Sequence, residues 1–97
     1  MTVWRRDKAV IAAGEAGETI LSAQGLHPVM ARGSGAMHYL WQSGSRLMMK
    51  KGSSESTLFA ERGAFPAMGA GSPSLPPIAV WESSTNGLKT ILARRLD

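Results

Sequence analysis

An internal repeat constrains this chain more than any other feature. Laid over itself at one constant offset, Gly14–Ser34 matches Gly52–Ser72 at Gly14 and Gly52, Thr19 and Thr57, Gly25 and Gly63, Pro28 and Pro66, Met30 and Met68, Gly33 and Gly71, and Ser34 and Ser72. Hydrophobic character agrees between these landmarks, with Ile20-Leu21 over Leu58-Phe59 and Val29 over Ala67. The register continues into tryptophan: Tyr39-Leu40-Trp41-Gln42-Ser43 corresponds to Ala79-Val80-Trp81-Glu82-Ser83, after a small insertion around Pro73 to Pro77. Val3-Trp4 is the same element near the N-terminus. A unit of roughly 40 residues in tandem builds similar supersecondary units, each burying its apolar surface against the next.

Each full repeat divides into four short apolar segments separated by Gly- and Pro-containing turns. The first holds Pro-x-Met and the second ends at Trp. The third is apolar (Val10-Ile11-Ala12, Leu47-Met48-Met49, Ile91-Leu92-Ala93), and twice it ends in a basic pair, Lys50-Lys51 and Arg94-Arg95. The fourth holds Thr57-Leu58-Phe59-Ala60. Segments this short are strands, because a helix needs about ten uninterrupted residues. The one stretch of helical composition, Lys8 to Ala16, is broken by Gly14 and Gly17.

The prediction is therefore an all-β fold, a partial β-propeller made of four-stranded antiparallel blades. A sandwich also shows regular short strands, but gives no reason for a tandem repeat. With strands lettered A to D from the inside out, residues 1–25 read as a partial blade (B to D), 26–63 as a complete blade, and 64–97 as a partial blade (A to C). Two and a half blades close no ring. The expected partners are further propeller blades, either the rest of a parent chain of which this is a C-terminal portion, or other copies of the chain, so that the chain by itself is expected to oligomerise.

Composition narrows the chemistry. The chain of 97 residues has no cysteine, which excludes disulfides, thiol catalysis and cysteine-ligated metal. Its 43% hydrophobic content is enough for a core, yet no apolar run approaches the roughly 18 residues of a spanning helix. The N-terminal residues lack the basic, apolar and small-residue regions of a signal peptide, and the compartment stays open. The net charge of +4 comes from the doublets Arg5-Arg6, Lys50-Lys51 and Arg94-Arg95 rather than one basic run. These doublets read as solvated strand ends, and nucleic acid is not an expected partner.

The order Gly-x-x-Pro-x-Met, a small Gly-rich turn, a strand ending in Trp, and the Ile91-Leu92-Ala93-Arg94-Arg95 strand resembles blades of sialidase-like (BNR-repeat) propellers, over essentially the whole chain. That resemblance implies a fold shared by glycosidases, lectin-like modules and plain scaffolds. The family's Asp-box turn has its nearest counterpart in Ser83-Ser84-Thr85-Asn86-Gly87-Leu88-Lys89-Thr90, which keeps Ser and Gly but carries Thr85 in place of Asp. No arginine triad is present, since the repeat counterpart of Arg32 is Ala70, and Tyr39 has no glutamate partner at a telling spacing. A non-catalytic module binding carbohydrate or a protein partner is the expectation; a fragment of a glycoside hydrolase with its catalytic residues in other blades, or a structural assembly unit, is the alternative.

Single residues follow the same logic. Trp4, Trp41 and Trp81 recur at one repeat position, which points to packing between blades rather than sugar stacking. Met30 and Met68 read as core. His27 before Pro28 and Phe65 before Pro66 vary between repeats in a loop that leads into a blade, so His27, with Arg32 on the innermost strand, is a candidate ligand contact. His27 and His38 without clustered carboxylates make no metal site, and no cofactor is expected. Glu15, Glu18, Glu55, Glu61 and Glu82 show no spacing of opposed catalytic carboxylates. Gly33-Ser34-Gly35 lacks the following helix and Gly-Lys of a phosphate loop and reads as a hairpin turn.

Overall fold

The computed structural model describes residues 2–14 and 17–96. Among them are ten strands and no helix: β1 (Thr2–Arg6), β2 (Ala9–Gly14), β3 (Gly17–Ser22), β4 (Leu26–Gly33), β5 (Ala36–Ser43), β6 (Arg46–Lys51), β7 (Thr57–Ala60), β8 (Ala64–Gly69), β9 (Ile78–Thr85) and β10 (Leu88–Arg95). With no helix present, none is long and apolar enough to cross a membrane among the described residues. Glu15 lies outside them. The strands form three antiparallel meanders: β1-β2-β3, β4-β5-β6-β7 and β8-β9-β10.

Local sequence explains the hairpins. Ser34 and Gly35 join β4 to β5 with φ of 50° and 73°, and Asn86 and Gly87 join β9 to β10 with φ of 52° and 80°. Positive φ at both central residues is the type I′ geometry whose twist matches the flanking strands. The Gly-Ser-Gly segment is thus a tight turn. Asp7 (φ 54°) does comparable work between β1 and β2.

The sheets pack face to face, with β4 lying against β1 on one side and β8 on the other. Strand alternation splits every sheet into two apolar faces. One core joins Val10 and Ala12 of the first sheet to Tyr39 and Trp41 of the second. The other joins Leu40, Leu47 and Phe59 of the second to Ala79 and Trp81 of the third, with Leu96. At both junctions the later sheet presents its tryptophan to an apolar face of the earlier one, aliphatic at the first and including Phe59 at the second. Trp41 is 1% exposed and Trp81 6%, the latter meeting Phe59 edge-on at 5.1 Å between centroids. Trp4 is only half-buried.

The linkers between sheets are fastened alike. Gly25 N donates to Lys8 O at 2.7 Å, and Gly63 N donates to Ser45 O at 2.8 Å. A Cβ on Gly25 would meet Val10 Cγ2 at 2.5 Å and Trp41 Cδ1 at 2.8 Å; on Gly63 it would meet Leu47 Cγ at 2.8 Å and Trp81 Cδ1 at 2.9 Å. Glycine stands there because the linker passes directly over the junction core.

One arginine in each of two basic doublets has a defined partner. Arg6 makes a forked pair with Glu18, at 2.9 Å and 3.3 Å. Arg94 donates to Phe59 O and lies over the Phe59 ring, 3.9 Å from its centroid, fixing the third sheet to the second.

Candidate functional site

The site begins with two bulges. The register of β4 on β5 shifts between Leu26 and Val29, and that of β8 on β9 between Ala64 and Ala67. Two residues, His27 and Pro28, therefore stand opposite Trp41, while Phe65 and Pro66 stand opposite Trp81. His27 and Phe65 both adopt left-handed backbone, with φ of 50° and 52°. Proline disfavours right-handed helical backbone in the residue before it, and for a bulky residue such as Phe positive φ costs on the order of 1–3 kcal/mol. The same strained conformation at the same repeat position in two sheets is held by the fold.

The bulges bring His27 and Phe65 together. Their ring centroids are 4.9 Å apart at an interplanar angle of 47°, and Phe65 remains 57% exposed. Gln42 braces this arrangement. Its Oε1 accepts from Phe65 N at 3.2 Å, and its Nε2 donates to Gly44 O at 3.0 Å. One side chain thus ties the bulge of the third sheet to the β5–β6 turn of the second.

Behind the ring pair a cleft of about 500 Å³ opens between the second and third sheets. Phe65 supplies an apolar wall; Arg62, Glu82, Lys89, Ser83, Ser84 and Gln42 supply donors and acceptors. Glu82 and Lys89 are 3.9 Å apart with Lys89 largely in water, a pair weak enough for a ligand to open. A corresponding cleft of about 270 Å³ lies between the first and second sheets, lined by Arg5, Lys8, Gln24, Leu26, Gln42 and Ser43. Among the described residues its lining has neither an aromatic nor a carboxylate.

His27 does not itself line the larger cleft; it backs the Phe65 ring that does. Arg32, exposed near the opposite end of β4, lies about 15 Å away at some 3.3 Å per strand residue, and its carbonyl accepts from Gly71 N at 2.8 Å. The fold does not bring the two together. Phe65, Gln42, Arg62, Glu82 and Lys89 complete the site, none of them read from the sequence as a ligand contact. The signal for Phe65 was available, since it is the repeat counterpart of His27.

Two groups lie deeper. His38 is fully buried and neither ring nitrogen has a hydrogen-bond partner among the described residues. Burial above all pushes its pKa down, and the charge of Lys51 adds to this. Tyr39 is buried in the first junction, its pKa raised by desolvation against a smaller opposing effect of Arg32. No group of three or more His, Cys, Asp or Glu able to hold a metal occurs among the described residues.

No protein-family model matches the sequence, and no curated protein or solved structure matches it. The functional reading accordingly rests on the geometry of the cleft.

Proposed function

We propose that the three sheets are successive blades of a sialidase-like β-propeller module, and that the cleft between the second and third binds carbohydrate without catalysis. The tandem repeat, the antiparallel meanders and the flanking of β4 by β1 and β8 support the propeller reading.

The binding reading is carried by one observation: an exposed Phe65 ring, backed by His27, at the mouth of a cleft lined by charged and polar side chains. A sugar has an apolar C–H face and a rim of hydroxyls. The first stacks on an aromatic ring; the second needs several donors and acceptors at fixed positions. The non-catalytic reading follows from the lining, in which Glu82 is the only carboxylate among the described residues, whereas glycoside hydrolysis commonly requires two facing one another across the bond.

A glycan array with the intact chain, followed by saturation-transfer NMR on the ligands retained, tests the proposal. Phe65→Ala should weaken binding about tenfold, the loss of about 1.4 kcal/mol of ring contact, and His27→Ala should weaken it less. Retention of no glycan, or a Phe65→Ala protein binding as tightly as the parent, would reject carbohydrate binding at this cleft. Turnover of a fluorogenic sialoside by the chain would reject the non-catalytic half.

A further inference from the structure

The chain makes one kind of junction twice, and each end of the stack presents one half of it. At each internal junction an apolar face of the earlier sheet, aliphatic at the first and joined by Phe59 at the second, receives the tryptophan face of the later one. The third sheet carries an aliphatic face that receives nothing among the described residues. Ile91 stands opposite Glu82 as Leu47 stands opposite Gln42 and Val10 opposite Arg5. Val10 and Leu47 are fully buried, but Ile91 is 68% exposed. Val80, the counterpart of the fully buried Leu40, is 38% exposed, and Ala67 and Ala93 beside it also face water.

The first sheet presents the other half. Trp4, Ile11 and Ile20 lie in one row across β1, β2 and β3. Trp4 is half-exposed and Ile20 is exposed, although Trp41 and Trp81 at the same repeat position are buried.

We propose that these two faces bind each other between copies, Trp4 of one chain packing on Val80, Ala93 and Ile91 of the next. The occupant is a second copy because the chain itself shows both halves docked, twice, in chemistry that the exposed faces reproduce. The faces differ, so the contact is head-to-tail and builds a ring or an open stack. Charge fits as well: the seam sets Glu82 beside Arg5 and Lys8 of the next copy, at the end of the sheets where the internal clefts lie. This inference does not depend on what the cleft binds.

Sedimentation velocity of the intact chain over a concentration series tests it, with circular dichroism to confirm folding of each variant. The parent should sediment as a species larger than one protomer. Ile91→Lys on one face, or Trp4→Ala on the other, should raise the dissociation constant at least about thirtyfold, the scale of a central interface residue. Ile20→Glu serves as a second variant of the tryptophan face should Trp4→Ala lose its fold. Mixing the Ile91→Lys and Trp4→Ala proteins should restore a complex that stops at one copy of each, because each retains one intact face. A monomeric parent would overturn the proposal and assign the faces to another occupant, such as further sheets of a longer chain. An association that both variants leave intact would also overturn it and point to pairing along strand edges.

Discussion

Replacing each repeat tryptophan by alanine in turn gives an internal control on what these residues do. Trp41 is 1% exposed, wedged between the first and second sheets with its Cδ1 under Gly25. An aromatic side chain of this size buries on the order of 150–250 Å², worth about 4–6 kcal/mol at roughly 25 cal/mol per Å². Measured truncations of buried Trp cluster at about 3–5 kcal/mol. Trp41→Ala should therefore cost about 4 kcal/mol, much of the 5–15 kcal/mol that holds a typical domain folded. Trp4 has the same chemistry but is half-buried, and part of its contact is to the Arg6 guanidinium, 5.6 Å from the ring centroid. Trp4→Ala should cost about 1–2 kcal/mol in dilute protein. Urea unfolding followed by far-ultraviolet circular dichroism reads both, through the midpoint shift at unchanged m-value. Equal costs for Trp4→Ala and Trp41→Ala at high dilution would refute the claim that burial between sheets sets the role of this position.

Three further outcomes follow from local geometry. Gly63→Ala drives a Cβ to within 2.8–2.9 Å of Leu47 and Trp81 and should lower stability by about 1–3 kcal/mol, seen as a depressed melting temperature. His38, kept neutral by burial, binds its proton less readily folded than unfolded, so the unfolded chain takes up the extra proton below its ordinary value of 6.5; stability should fall as pH drops through that value, and His38→Leu should flatten the dependence of the urea midpoint on pH. Phe65→Gly removes an exposed ring and a strained backbone together; its unfolding free energy from urea titration should stay level or rise by up to about 1 kcal/mol, while glycan retention falls.

Much of the strand pattern was legible because each strand carries its own local signal. The Pro-x-Met, Trp and apolar segments between glycine turns became β4, β5 and β6, and Thr57–Ala60 became β7. Gly33-Ser34-Gly35 declared its turn through residues that tolerate positive φ. The cleft was less legible, because it is a property of two adjacent sheets. Arg62, Glu82 and Lys89 are unremarkable charges along the chain and converge only when the second and third sheets dock. Arg94 looked like a strand-end cation; its place over Phe59 depends on a junction that no local pattern reports. Along the chain His38 is weighed only as a metal ligand, and its burial is set by the packing around it.

The bulges explain why the cleft lies where it does. Trp41 and Trp81 must stay in register with their cores, and Gly25 and Gly63 must pass closely over them. The following residues then re-enter a strand with one residue to spare, and the spare residue is pushed outward at positive φ. That residue makes little of the core, so its identity is left open by packing: His in one sheet, Phe in the next. The repeat thus fixes a strained, outward-facing position beside each inter-sheet cleft while leaving its side chain variable. Exchanging His27 and Phe65 (His27→Phe with Phe65→His) should then leave stability within about 0.5 kcal/mol, the range of changes that touch no core contact. The same exchange keeps the two rings in contact but sets an imidazole in place of the phenyl ring on the lining of the larger cleft, and glycan binding there should weaken. A large loss of stability in the exchanged protein would show that these side chains do pack, and that the fold rather than a ligand selects them.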